Sequence, residues 1–214
     1  MKKIKNLFSL NIICLFIIST LLVFFILKPA YTASVLEVNE NDLIIGDIKA
    51  PITIIEYASL SCIHCKDFHA NTLPQIIKEY VDTKKVKIVF RDFPLNYPAL
   101  MGSMLLQCIE KNIRYNYLSA LFILQSDWVK KDTEVSKNEL FKIMQTGGMT
   151  KNQFDECLNS QNIEQKILQG LMDAQNEFKI RTTPSFLINE NFLEGNKPFK
   201  DFKNIINKIL SNIE

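Results

Sequence analysis

One stretch limits the folds open to this chain more than any other. In ITIIEYASLSCIHCKDF, residues 52–68, a continuous β-branched and apolar run leads directly into the pair Cys62-x-x-Cys65. Gly46 and Pro51 punctuate the approach, within the polar stretch VNENDLIIGDIKAP, and the run itself reads as a buried strand. Beyond the cysteines, KDFHANTLPQIIKEYV sets Phe68, Leu73, Ile76, Ile77 and Tyr80 at roughly helical spacing, with Pro74 expected to kink the helix. VKIVFRDF, residues 86–93, reads as a second strand. Strand, helix and strand within about forty residues predict a parallel βαβ unit with a right-handed crossover, and the cysteines fall at its strand-to-helix junction.

From Pro98 to about Phe178 the pattern is helical only. SKNE at 136–139 and TKNQ at 150–153 carry capping-box signatures, and Gly147 and Gly148 between them form a helix stop. The aromatic-rich RYNYLSALFILQSDW, residues 114–128, reads as core of this region rather than as a peptide groove. RTTPSFLINENFLEG returns to strand character as a hairpin. PFKDFKNIINKIL closes the chain as a helix with Phe199, Phe202, Ile206, Ile209 and Leu210 on one face. The fold class is α/β with an all-helical insertion.

The amino end sets the compartment. Residues 6–27 carry no charge and would span about 33 Å as a helix, the thickness of a bilayer core. Lys2, Lys3 and Lys5 precede them, which orients the remainder across the membrane. Residues 1–33 are a signal peptide or a retained inner-membrane anchor formed by 6–27; Tyr31 and Thr32 make poor cleavage contexts, and Ser19 and Thr20 divide the run into two signal-sized pieces. Either reading places the bulk of the chain in the periplasm or otherwise outside the cytoplasm. Without residues 1–33 the 25 Lys plus Arg become 21, against 23 Asp plus Glu. That weakly acidic balance, with no basic stripe, argues against nucleic acid as a partner.

Cys14 lies in the apolar run, which leaves Cys62, Cys65, Cys108 and Cys157. In an oxidising compartment two pairs are expected. Cys108 and Cys157 each read as lying on the apolar side of a helix, either as buried free thiols or, as favoured here, as a bridge closing a loop of about fifty residues.

A cysteine at a helix start faces unpaired amide groups and the positive end of the helix dipole, so it is favoured as a thiolate. Cys62 has that position and is expected to be accessible. Cys65, one turn on, can close a disulfide with it and is expected to be buried. His64 would add a donor, or a positive charge, beside the Cys62 sulfur. Two other readings stay open: an inert structural bridge, and a metal site using Cys62, Cys65 and His69. His69 by itself reads as a surface helix residue, since nothing in the sequence pairs it.

IIEYASLSCIHC, then FRDFPL, the helical insertion and TTPSFLIN together resemble the DsbA-like branch of the thioredoxin superfamily, from about Asn41 to the carboxyl end. The resemblance implies a thioredoxin fold divided as 34–97, first part with the CxxC; 98–178, helical insertion; and 179–214, second part with a cis-proline loop. It implies that Cys62 exchanges disulfides and that Cys65 resolves them. Pro184 would be in cis opposite the pair, with Thr183 offering main-chain groups to an extended substrate, and Glu56 would be a buried proton shuttle beneath it. Without the resemblance, Pro184 could be an ordinary trans strand-edge proline and Glu56 a solvated residue at a strand end. The usual Pro-His between the cysteines is Ile63-His64 here, a departure expected to soften the oxidising power.

The function so implied is extracytoplasmic formation of disulfides in exported proteins. Partners would be unfolded or reduced clients and a membrane reoxidant of the DsbB type, with no cofactor. No dimerisation module is recognisable before the catalytic part, so a monomer is expected. The rivals are a metal-binding or metal-delivery protein using the same thiols, a protein-disulfide reductase or isomerase, and a non-catalytic client-binding domain.

Overall fold

The computed structural model describes residues 37–38 and 42–213; segment 6–27, and with it the choice between leader and anchor, lies outside the described residues. Among those described, no helix is long and apolar enough to cross a membrane. The described residues 42–213 belong to one compact unit.

At its centre is β2, Ile52–Ala58, buried at every position as expected of a strand covered on both faces. It pairs in parallel with β3, Val86–Asp92, and antiparallel with β4, Ser185–Ile188. The sheet continues outward to β1, Leu43–Ile45, antiparallel to β3, and to β5, Asn191–Glu194, the second arm of the hairpin, giving the order β1-β3-β2-β4-β5. β1 lies within the stretch read as a polar approach. Three apolar residues, Leu43, Ile44 and Ile45, carry too little periodicity to mark a strand, and it is pairing with Phe90, Val89 and Ile88 that makes them one.

Helix α1 connects β2 to β3 and is built of four consecutive pieces: α-helical Ile63–Asp67, π-helical Phe68–Thr72, α-helical Leu73–Ile76 and π-helical Ile77–Val81. Pro74 stands in the first turn of the third piece. It has no N–H and would crowd the carbonyl one turn back, and the wider turn immediately before it removes the conflict. The widening also explains the spacing of the buried face. Phe68 and Leu73 are five residues apart, as are Ile76 and Val81, and all four pack in one core with Ile52, Ile54, Val86 and Ile88. The closing helix α8, Phe199–Leu210, covers the same core with Phe202 and Ile206.

The region between β3 and β4 is helical. α2, Tyr97–Gln107, is buried from Pro98 to Leu106 and is capped by Asn96, which accepts from Ala99 N–H at 3.0 Å. α3, Lys111–Ile123, and α4, Gln125–Trp128, bring Leu118, Leu121, Phe122 and Trp128 into a second core with Leu60, Cys65 and Phe90. α5, Thr133–Thr146, begins four residues earlier than SKNE suggests: Asp132 is its cap, accepting from Val135 N–H at 3.0 Å. Ser136 lies inside the helix and bonds instead to the Lys130 backbone. An acidic cap with the same geometry one turn upstream overrides the later motif. α6, Lys151–Leu158, does start with the reciprocal box of Thr150 and Gln153. α7, Gln161–Asn176, leads back toward the sheet.

Candidate active site

Cys62 is the N-cap of α1, in extended conformation. Its N–H donates to Ser59 O at 3.0 Å, and its carbonyl accepts Lys66 N–H at 3.1 Å. The carbonyl also accepts from α4: the Gln125 side-chain amide donates to Leu60 O at 2.8 Å and to Cys62 O at 3.0 Å, with all three residues buried. A side chain of the helical insertion thus fixes the backbone that carries the cysteine. Nothing in a single sequence marks Gln125 for this, because the signal is a contact across 63 residues.

The two cysteines are unbridged and both buried: Cys62, expected to be accessible, is 9 % exposed because the Thr183 loop packs against its sulfur, and Cys65 is 0 % exposed. They differ in ionisation. The Cys62 pKa is lowered to about 5, chiefly because the Cys65 thiol donates to its sulfur. Burial opposes the shift, while Thr183 and the backbone N–H groups of Cys65 and His64 add to it. As a thiol, Cys62 makes no capping bond to those N–H groups and donates instead to Thr183 O at 3.2 Å. As a thiolate it can take up the helix-end donors and the Thr183 hydroxyl, which is buried without another partner. The Cys65 pKa moves the other way, raised above all by burial, then by its hydrogen bond to Cys62 and the Glu56 charge. One pair therefore holds a ready nucleophile and a thiol that resists ionisation.

The His64 side chain is exposed, and its backbone N–H is among the groups that lower the Cys62 pKa. Thr183 and Pro184 lie opposite the pair, their peptide bond is cis, and Thr183 O faces the Cys62 sulfur. Glu56 is buried at mid-strand on β2.

His69 corrects the surface reading. Its side chain is 6 % exposed, and Nε2 lies 3.1 Å and 3.0 Å from the two carboxylate oxygens of Glu56. A surface position was inferred because no partner is near in sequence; the partner is on the strand beneath. That contact also bears on the metal alternative, since His69 faces Glu56. Among the described residues no group of three or more His, Cys, Asp and Glu could hold a metal ion.

Away from the pair, Cys108 and Cys157 are bonded, with a Cα separation of 6.2 Å. Cys157 is buried as expected, but Cys108 is exposed at the C-cap of α2, where the helix has already ended.

This geometry has relatives. A family model described as Thioredoxin matches residues 38–208. The crystal structure of Wolbachia pipientis alpha-DsbA1 is 33 % identical, with a TM-score of 0.76, and the match covers 86 % of this chain and all of that one. A Rickettsia felis protein named "Putative protein-disulfide oxidoreductase" is 29 % identical over 154 residues, 72 % of this chain and 55 % of its own. The chain thus spans about half the length of that relative. A Bacillus anthracis protein named "Probable disulfide bond formation protein D" is 28 % identical over 174 residues, covering 78 % of this chain and 77 % of the relative.

Proposed function

Because the chain belongs to the DsbA-like branch of the thioredoxin family, we propose that it is a thiol:disulfide oxidoreductase that introduces disulfides into exported proteins outside the cytoplasm. The observation that carries the reading is the division of labour within the pair. Cys62 has its pKa lowered to about 5 at a helix end, and Cys65 is buried beside it with its pKa raised. A stabilised thiolate is a good leaving group, so the oxidised pair is a strong acceptor of electrons.

In the forward reaction a client thiolate attacks Cys62 Sγ and Cys65 leaves. The client's second thiol then attacks the mixed disulfide, the client disulfide forms and Cys62 departs as the thiolate. Turnover requires a partner that takes two electrons from the pair, and a DsbB-type membrane protein fits that role. Thr183 lines the site with its main chain. Ile63 and Leu95 are exposed apolar side chains next to Cys62 and to the Ser59 loop, which suits unfolded clients. The protein acts as a monomer in this scheme, exported by its apolar amino-terminal segment.

The test is oxidation of a reduced, unfolded client by stoichiometric oxidised protein, together with the reduction potential of the pair. A potential well above thioredoxin's, about −270 mV, and loss of oxidation in Cys62→Ala are expected. A potential at or below that value would assign the protein to the reductases instead.

A further inference from the structure

Disulfide exchange at Cys62 and Cys65 moves a proton as well as electrons. When a client thiolate attacks Cys62 Sγ, a sulfur–sulfur bond forms to the client, the Cys62–Cys65 bond breaks, and its electron pair goes to Cys65 Sγ. That sulfur is fully buried in a setting that disfavours its thiolate, so a proton must reach it from the protein. The same proton must leave when the disulfide closes again.

Glu56 and His69 can hold such a proton. His69 Nε2 faces both carboxylate oxygens, at 3.1 Å and 3.0 Å. A bare ring lone pair directed at two carboxylate oxygens would be repelled, so one proton lies between them, on Nε2 or on the carboxyl group. Either arrangement stores one transferable proton in a pair whose side chains are 6 % and 1 % exposed.

The neighbours isolate this pair. The His69 ring lies 4.1 Å from the Phe122 ring of α3, 5.6 Å from Phe68 of its own helix and 6.3 Å from Phe90 of β3, measured between centroids. Besides His69, the Glu56 charge acts on Cys65 of α1 and on Tyr115 of α3; what β3 presents to the His69 ring is the uncharged Phe90. His69 is the more exposed member of the pair, and Glu56 is the member whose charge acts on Cys65.

We propose that His69 is a positioning residue for the exchange reaction: through Glu56 it supplies the proton that Cys65 Sγ takes up as the disulfide opens, and receives it as the disulfide closes. The inference rests on the exchange reaction proposed above, but not on its direction.

The test follows opening of the oxidised pair by a peptide dithiol, by rapid mixing from acid to alkaline pH, in the full chain with the Cys108–Cys157 bridge intact. His69→Gln keeps an N–H toward Glu56 but cannot pass a proton on. It should slow opening about a hundredfold, at the low end of general acid contributions, and flatten the pH profile, while the thiolate titration of Cys62 is unmoved. Glu56→Gln should do the same. The double variant, which buries no unpaired charge and so guards against misfolding of the singles, should be no slower than the slower single, because groups acting as one unit are not additive. An unchanged rate in His69→Gln, effects that multiply in the double variant, or slowing that merely follows loss of folded protein would each overturn the relay. If the unsubstituted protein does not exchange with the dithiol, the proposed function itself fails, a result distinct from all three.

Discussion

The chain holds two cysteine pairs that are chemically the same and physically opposite. Cys62 and Cys65 are three residues apart, lie at a helix end and are unbridged, with the pKa of one lowered to about 5 and that of the other raised. Cys108 and Cys157 are 49 residues apart, join the end of α2 to α6, and are bonded. The first pair gains from being reduced, because the Cys65 thiol first, and then Thr183 and the helix-end N–H groups, stabilise a thiolate at Cys62. The second gains from being oxidised, because its bond removes freedom from the unfolded chain. Placement, not residue type, decides whether two sulfurs form a reagent or a staple.

The largest break of that contrast is functional. Cys62→Ala should abolish client oxidation, whereas Cys108→Ala with Cys157→Ala should leave the exchange step in place; loss of activity in both would merge the two pairs into one machine. Stability is the next measure. Opening the distant bridge should cost about 4 kcal/mol by the chain-entropy relation for a loop of this size, read from denaturant midpoints. Reducing the Cys62–Cys65 pair should instead stabilise the protein. A thiol lowered to about 5 from an unfolded value of about 8.5 favours the folded reduced form. That favour is complete above the unfolded pKa, declines as pH falls and is gone below about 5. Reduced and oxidised melts should therefore converge in acid, and a gap that widens there would reverse the sign.

A smaller effect is expected at Gln125. Replacing it with Ala leaves the buried carbonyls of Leu60 and Cys62 short of a donor, at about 1–3 kcal/mol, and should slow alkylation of Cys62 without touching the distant bridge. The smallest belongs to His64→Ala. Its backbone N–H remains, so thiolate titration by ultraviolet absorbance should shift little; a rise of more than about one pKa unit would restore to the ring the role that the sequence suggests.

Much of this was legible beforehand. ITIIEYA is β2 to the residue, VKIVFRDF overruns β3 by Phe93 alone, and the stop at Gly147 and the start of α6 at Thr150 follow from local signals, whereas Asp132 displaced SKNE at the start of α5. Local chemistry reaches that far, because caps and strand runs are decided within a few residues. β1, the partner of His69 and the clamp of Gln125 were hidden for one shared reason: each exists only through a residue distant in sequence, Phe90 for Leu43, Glu56 for His69, Cys62 for Gln125. Cys108 was misplaced because an apolar helix pattern does not reveal where its last turn ends.

The wide turns of α1 have a consequence for how this helix can vary. A regular helix advances about 100° per residue, so the two five-residue steps, from Phe68 to Leu73 and from Ile76 to Val81, act as phase corrections. They return the apolar stripe to the sheet after each would otherwise have drifted past it. Deleting one residue at either place would not simply shorten the helix; it would rotate everything downstream by about a quarter turn. A deletion within Phe68–Thr72 would turn Leu73, Ile76 and Tyr80 away from β2 and β3 while the cysteines stayed in place. The sequence of this helix is therefore tolerant of substitution along its outer side but intolerant of changes in count, and length variation in homologous chains should fall after Val81 rather than within it.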